Sequence, residues 1–303
     1  MLNFRPKGFF PTILLSTLLM GSSFPSAAWL LVSGADALSL VSIRFLLASL
    51  IAWSMVGLFH NLDETIVPWR VAGLIGVFQT FGVMAPVHIA LGSEAPAVVA
   101  AIVFSNVLMV AGYEMFIGRR QTTKTLLFAL ALGFGGLILV TNVLAMPVSN
   151  DLHASHFGVL LSLAAALSWT FATLLSKQLK IAGGWRFNAQ QMLVGALCLL
   201  GLTVVVRGND VWLPQNVQGV LWLLWLAVPA SVISFGLWFR ALSLRTATEA
   251  SAWLAAVPAF AAVIAWISLG SELTTGQLLG MGCIAAALYL QSRAGPDLDS
   301  LRG

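Results

Sequence analysis

Polar side chains inside long apolar stretches are the residues of this sequence most suited to chemistry. Gln79 and Asn106 bring amide groups to the predicted middle of such stretches, where they could bind a zwitterion, an amide or a hydroxyl group. The alternative use is hydrogen bonding between helices, which contributes only about 0.6 kcal/mol on average in membranes. Either use requires both side chains to face protein, because polar groups exposed to hydrocarbon are costly.

One histidine and two tryptophans complete the set of candidate binding residues. His88 is the only histidine inside an apolar stretch. Free histidine titrates near physiological pH, so a residue of this type could couple proton movement to substrate binding. The alternative is that His88 hydrogen-bonds to a neighbouring helix. Trp169 and Trp238 could line an aromatic pocket, although aromatic side chains at helical spacing more often serve packing. The predicted substrate-binding residues are Gln79, His88, Asn106, Trp169 and Trp238.

Arg44 is a cation about seven residues inside the second apolar stretch. A lipid-facing charge at that depth would thin the bilayer, so we expect Arg44 to face the helix bundle. We predict a mainly structural role, in which it ties outer helix ends through Asp36, Glu94 or the last carbonyls of the third helix. The alternative is a clamp for a substrate carboxylate, since arginine geometry suits bidentate recognition.

Composition identifies the class of protein. Hydrophobic residues make up 59% of the 303, charged residues 9%, and the mean hydropathy is +0.94. A chain this apolar is an integral membrane protein. Cys198 and Cys283 fall inside apolar stretches and are expected to be small buried fillers. An intramembrane enzyme would need paired acids, a metal cluster or a nucleophile with its base, so we predict no catalytic residue, metal or cofactor.

Ten apolar stretches are long enough to cross a bilayer as helices. They are Phe9–Val32, Ala37–Phe59, Val67–Leu91, Ala95–Ile117, Thr122–Leu144, Phe157–Leu179, Phe187–Val206, Val217–Leu242, Thr246–Leu269 and Thr275–Ser292. The first resembles a signal peptide, but its apolar run is longer than a typical signal core, so we expect it to be retained.

The basic residues alternate between the two sides of this arrangement. Of the 15 Lys and Arg residues, all but Arg44 and Arg207 fall at the chain ends or in connections on one side. Basic residues stay in the cytoplasm during insertion, which predicts cytoplasmic N- and C-termini. Arg207 is the single exception on the other side. Glu114 lies near a cytoplasmic helix end, where we expect it to snorkel or to pair with Arg119 and Arg120.

A weak internal repeat divides the chain. The segment NVLMVAGYEMFIGRRQTTKTLL from Asn106 aligns with PAFAAVIAWISLGSELTTGQLL from Pro258. Each unit has five spans, so the second must enter the membrane from the opposite side, an arrangement typical of alternating-access transporters. The predicted units are residues 1–146 and 155–293, followed by a cytoplasmic tail at 294–303. A membrane scaffold that transports nothing is the alternative.

The second unit, ATEASAWLAAVPAFAAVIAWISLGSELTTGQLLGMGCIAAALYL, resembles the EamA domain of the drug/metabolite transporter superfamily. The segments around Arg44 and Trp169 also resemble this family. The resemblance implies an all-α membrane protein of ten transmembrane helices in two inverted five-helix EamA repeats. It further implies a bacterial inner-membrane carrier, often an exporter, with a central cavity lined by helices 1, 3, 4, 6, 8 and 9.

The chain departs from the EamA pattern in its first unit, which bears on the substrate. Asn106 stands where a proline is usual, and Arg119–Arg120 replace the Gly-x-Glu element kept at Gly270–Glu272. A neutral or zwitterionic metabolite such as an amino acid fits the polar residues best. A sugar-phosphate or nucleotide-sugar carrier would need clustered cations, and Arg44 is the only one at depth. The expected partners are this small molecule, the lipid bilayer and protons, with no nucleic acid.

Overall fold

The computed structural model describes residues 8–58, 66–91, 96–117, 123–141, 152–181, 184–208, 210–270 and 272–293. Within these ranges the chain is helical apart from short connections, and they contain no strand. In chain order the helices are α1 (Phe9–Val32), α2 (Ala37–Leu58), α3 (Trp69–Gly76, a π-helical turn Val77–Phe81, then Gly82–Ala90), α4 (Pro96–Phe104 and Asn106–Phe116), α5 (Lys124–Thr141), α6 (Leu152–Gln178), α7 (Trp185–Arg207), α8 (Val217–Ala227, a π-helical turn Val228–Ile233, then Ser234–Leu244), α9 (Ala247–Ala252, a 3-10 turn Trp253–Ala255, then Ala256–Leu269) and α10 (Thr275–Arg293).

Nine helices in these ranges, α1 to α9, are long and apolar enough to cross a membrane. The 19-residue α10 is not among the nine. The helix ends lie within a few residues of most of the predicted spans, because the length of each apolar run limits how far its helix can stay in hydrocarbon. Large apolar side chains such as Val32, Phe116 and Val205 are 83–90% exposed on the outside of the bundle. The chain is a multi-pass membrane protein.

Four of these helices are interrupted near their middles. Proline accounts for two interruptions: Pro229 lies in the π turn of α8, and Pro258 follows the 3-10 turn of α9. Proline has no backbone N–H to donate to the preceding turn. The interruptions of α3 and α4 contain no proline; Gln79 lies in the π turn of α3, and Asn106 directly follows the break at Ser105. Irregular backbone at membrane depth is tolerated where it is buried in protein or lines a cavity.

The helices pack in two matching sets. Helix α1 packs against α8 and α9, and α6 packs in the same way against α3 and α4. Helix α2 packs along α7, and α5 packs along α10. Glycines let α3 and α7 touch: a Cβ at Gly76 would lie 2.1 Å from the Gln191 carbonyl oxygen, and one at Gly195 would lie 2.4 Å from the Thr80 Cβ. Such close approach of backbones is typical of small-residue interfaces between membrane helices.

Candidate functional site

Three predicted binding residues, Gln79, Asn106 and Trp169, are buried with polar atoms that have no hydrogen-bond partner; we call them the amide–indole cluster. Their exposed fractions are 1%, 0% and 6%. The unpaired atoms are the Gln79 Oε1, both amide atoms of Asn106 and the Trp169 Nε1. Most buried polar atoms in proteins are hydrogen-bonded, and an unpaired one costs about 1–3 kcal/mol. These unpaired groups at two helix interruptions have the capacity to hydrogen-bond to a polar ligand.

Helix α6 packs against both of the interrupted helices that carry Gln79 and Asn106. On its α3 side, the ring centroids of Phe171 and Phe78 are 4.5 Å apart, and Phe78 is the neighbour of Gln79. On its α4 side, the Trp169 ring lies 5.8 Å from the Phe104 ring, two residues before Asn106. The Thr170 hydroxyl also approaches the Met109 sulfur at 3.7 Å, in the turn that follows Asn106. Residues next to both helix interruptions therefore contact the same part of α6, Phe78 through Phe171 and Phe104 through Trp169.

Trp238 lies on α8, between the π turn of that helix and the α8–α9 connection. Its side chain is fully buried, with the indole N–H unpaired. Lys177 joins α6 to α8 near the end of α8, because its Nζ donates to the Leu242 carbonyl at 3.1 Å. Trp238 is one turn before Leu242, and Thr173, another buried residue with an unpaired hydroxyl, is one turn before Lys177. Thr173 also follows Trp169 by one turn, so one face of α6 leads from the amide–indole cluster toward Trp238.

His88 lies apart from the amide–indole cluster. It is nine residues beyond Gln79 on α3, about 13 Å along the helix at 1.5 Å per residue. The imidazole is partly buried, and its Nδ1 lies 2.7 Å from the Met84 carbonyl oxygen in its own helix. The structural alternative for His88 was a hydrogen bond to a neighbouring helix. The observed contact is instead to a carbonyl of its own helix. The geometry separates His88 from the other four candidates.

Arg44 is buried and contacts α8, as the prediction of a bundle-facing arginine requires. Its Nε donates to the Ser231 hydroxyl at 2.8 Å and its Nη2 to the Ala230 carbonyl at 3.1 Å. The guanidinium also lies 5.0 Å from the centre of the Phe45 ring. The expected partners were different: Asp36 bonds to other groups, and Glu94 lies outside the described residues. Since the π turn of α8 rearranges the ordinary helical bonding, its hydroxyl and carbonyl are available to the arginine.

A chain of hydrogen bonds links the two π turns through α7. The Thr80 hydroxyl donates to the Gln191 Oε1 at 2.8 Å, the Gln191 Nε2 to the Asn188 Oδ1 at 3.0 Å, and the Asn188 Nδ2 to the Val232 carbonyl at 2.9 Å. Neither Gln191 nor Asn188 was among the residues singled out from the sequence. The available signal was three amides within four residues of an apolar span, completed by Gln190, whose Oε1 is buried and unpaired.

Glu114 has a different role from the one expected. It is 5% exposed, and its carboxylate accepts hydrogen bonds from the backbone N–H groups of Ala247 at 3.1 Å and Thr248 at 2.9 Å. The Thr248 hydroxyl donates to it as well, at 2.5 Å. Glu114 thus caps the first turn of α9, where the helix dipole favours a negative charge. Its expected partners Arg119 and Arg120 lie outside the described residues.

Arg207, the exception in the charge pattern, forms an ion pair with Asp36 between the ends of α7 and α2. Burial raises the pKa of the Asp36 carboxyl, but the Ser39 amide and hydroxyl together with Arg207 outweigh it and lower the pKa below 3.8. An aspartate with a lowered pKa stabilises the fold above its unfolded pKa, and this contribution is lost as pH falls through the folded value. The exception therefore has a structural explanation, a pairing of two loop charges.

The amide–indole cluster can hold a ligand with both kinds of hydrogen-bonding group. The Gln79 Oε1 and Asn106 Oδ1 accept hydrogen bonds, while the Asn106 Nδ2 and the indole N–H groups donate them. An ammonium suits the acceptors and the aromatic faces, and a carboxylate suits the donors. None of the groups in the cluster carries a formal charge. The arrangement fits a small molecule without net charge.

Comparison with known proteins agrees with this architecture. Residues 156–293 match the EamA-like transporter family. The chain is 22% identical to the "Uncharacterized inner membrane transporter YedA" of Escherichia coli over 84% of this chain and 80% of that one. It is 26% identical to a "Probable amino-acid metabolite efflux pump" of Salmonella typhimurium over 71% and 74% of the two chains.

The fold is also that of a solved protein. A crystal structure with 16% sequence identity superposes with a TM-score of 0.77 and covers 94% of this chain and 95% of its own. The chain spans somewhat more than half the length of the first curated relatives that it matches, 59% and 54%. The resemblance noted in the sequence is thus confirmed. Residues 156–293 are an EamA-like transporter domain, which supports the resemblance of the chain to the drug/metabolite transporter superfamily.

Proposed function

We propose that this protein is a membrane transporter that exports a small neutral or zwitterionic metabolite, such as an amino acid, by alternating access. The observation that carries the proposal is the amide–indole cluster, with buried polar atoms left unpaired beside two interrupted helices. A scaffold would gain stability from hydrogen-bonding these groups or replacing them with apolar ones. A transporter needs such groups to receive a substrate after it leaves water.

Matched features of the two halves support alternating access. Helices α3 and α8 both contain a π turn, and α4 and α9 are both interrupted. Helix α1 contacts α8 and α9, while α6 contacts α3 and α4, as a twofold relation between units 1–146 and 155–293 requires. Interrupted helices at the interface of inverted repeats are where transporters bind substrate. We infer that the two units rock about a site containing Gln79, Asn106, Trp169 and Trp238.

The chemistry of the cluster favours a zwitterion over a phosphate ester. Phosphate recognition uses lysine or arginine in the cavity. Arg44 donates to the Ser231 hydroxyl and to the Ala230 carbonyl. We therefore propose that Arg44 has a structural role, as a tie between α2 and α8. The Salmonella relative is named a "Probable amino-acid metabolite efflux pump", which agrees with a zwitterionic substrate and with export. His88 is proposed as a coupling residue for protons only, since it lies apart from the cluster.

A flux assay in proteoliposomes tests the proposal. The purified protein would be reconstituted and challenged with a panel of labelled amino acids, neutral amides and sugar phosphates, with and without a pH gradient. We expect flux of at least one zwitterionic or neutral compound and none of the sugar phosphates. A pH gradient should accelerate that flux in the parent protein but not in His88→Gln if His88 carries the coupling. Flux of phosphorylated sugars alone, or of no compound, would contradict the proposal.

A further inference from the structure

A lipid-facing groove lies between α1, α9 and α10, away from the amide–indole cluster. It has a volume of about 660 Å³, and apolar side chains form nearly all of its walls. Half-buried Phe260 and Met281 line its inner part, and the exposed Ala285 lies on its α10 wall. Apolar walls open to the bilayer suit a hydrocarbon chain.

The length of the groove matches one leaflet. Along α9 it extends from Trp253 to Val263, ten residues or about 15 Å at 1.5 Å per residue. This is about half of the roughly 30 Å thickness of the hydrocarbon core. Trp253 and Tyr289 line the end nearer the α8–α9 connection, and such aromatic side chains favour the membrane–water interface. The groove therefore reaches from one interface to the midplane.

Two opposite charges lie at the interfacial end of the groove. Arg245 and Glu249 line a second pocket that shares Phe10, Trp253 and Leu288 with the groove. The Arg245 Nη1 is 3.8 Å from the Glu249 Oε2, longer than a direct hydrogen bond, and both side chains are 23% exposed. The guanidinium lies 5.7 Å from the centre of the Phe9 ring, which directs it toward α1. Both groups therefore keep donors and acceptors for a third partner.

We propose that this groove binds a zwitterionic phospholipid with a primary amine, phosphatidylethanolamine, in the leaflet that faces the α8–α9 connection. One acyl chain occupies the apolar groove. The phosphate accepts hydrogen bonds from Arg245, whose planar fork suits phosphate oxygens. The ammonium donates to Glu249, so the headgroup is inserted between the two charges. A phosphatidylcholine headgroup has no N–H to donate, and an anionic phosphatidylglycerol headgroup meets the Glu249 carboxylate.

Native mass spectrometry of the purified protein, titrated with lipids of identical acyl chains, tests the site. We expect one phosphatidylethanolamine to bind about tenfold more tightly than phosphatidylcholine or phosphatidylglycerol, the effect of one charge-assisted hydrogen bond. Arg245→Gln should weaken phosphatidylethanolamine binding about tenfold, by the same reasoning. Glu249→Gln should remove the preference over phosphatidylglycerol. Arg240→Gln, an exposed arginine outside the groove, is the matched charge control and should change nothing.

Filling the groove gives a second, independent measurement. Ala285→Phe should block binding of all three lipids, whereas Ala286→Phe, its exposed neighbour outside the groove, should leave binding intact. The charge variants carry the test if Ala285→Phe does not fold. Equal affinity for the three lipids, or unchanged binding by both Arg245→Gln and Glu249→Gln, would overturn the proposal. A protein dimer without retained lipid would do so too, since a second copy would then cover the groove.

Discussion

Asn106 and Asn188 are both fully buried asparagines, but their amides differ in partners. The Asn188 amide bonds to the Val232 carbonyl and to Gln191, while both amide atoms of Asn106 are unpaired. A paired amide stabilises the fold that contains it, whereas an unpaired one destabilises it. We therefore predict a structural role for Asn188 and, under the proposed function, a binding role for Asn106.

Replacing each asparagine by leucine should have opposite effects. In Asn106→Leu the melting temperature should stay the same or rise, because an unsatisfied buried amide costs about 1–3 kcal/mol. Its transport rate at low substrate should fall at least about tenfold, the effect of losing one good hydrogen bond. Asn188→Leu should lower the melting temperature. Thermal unfolding in detergent and flux in proteoliposomes measure both; a destabilised Asn106→Leu with normal kinetics would assign Asn106 a structural role.

Arg44→Gln and Arg44→Lys separate the two readings of the buried arginine. Because Arg44 binds Ser231 and the Ala230 carbonyl, we expect lower thermal stability and little change in apparent substrate affinity for the molecules that remain folded. Lysine has no planar fork and should not restore both bonds. A carboxylate clamp would produce the reverse, with near-normal melting and selective loss of anionic or zwitterionic substrates. Normal melting and normal transport together would refute both.

At the scale of elements, the π turn of α3 depends on close contact with α7. Gly195→Ala would place a Cβ 2.4 Å from the Thr80 Cβ and 2.8 Å from the Gly76 carbonyl oxygen, so α3 and α7 must separate. We expect a fall in melting temperature and in transport, because the bonds from Thr80 through Gln191 to α8 would be strained.

Gly201→Ala on the same helix is the matched control for Gly195→Ala. A Cβ at Gly201 has no atom within 4 Å. Since alanine is favoured over glycine in a helix by about 1 kcal/mol, this change should be neutral or stabilising. Melting temperatures of the two variants give the comparison. If Gly195→Ala were as stable as Gly201→Ala, contact at the π turn would not be what holds α3 and α7.

For the whole molecule, the distribution of basic residues predicts cytoplasmic termini. Reporter fusions after residues 35, 93, 150 and 272 should report outside, and fusions after residues 121 and 182 should report inside. The Asp36–Arg207 pair fits this topology. Arg207 is the single basic residue predicted on the outer side, and Asp36 neutralises its charge. Two or more reversed fusions would defeat the topology and, with it, the inverted arrangement of the two units.

Much of this architecture follows from the order of residues alone. Apolar runs of about 20 residues cannot remain in water and cannot satisfy their backbone in lipid except as helices, which explains the agreement of helix ends. The same logic predicted that Gln79 and Asn106 are buried, because polar groups in such runs turn away from lipid. The family resemblance depended on local sequence motifs of the second unit, and the same part of the chain, residues 156–293, matches the EamA-like transporter family.

Only the tertiary structure decided which of these buried groups meet. The breaks at Gln79 and Asn106 carry no proline to mark them, and the packing of α6 against both α3 and α4 appears only in the folded structure. The partners of Arg44 lie 186 and 187 residues away in α8, and those of Glu114 lie 133 and 134 residues away in α9. No local pattern of the sequence specifies such contacts. Spacing along a helix determines the face on which a residue lies, whereas the packing of helices determines what that face touches.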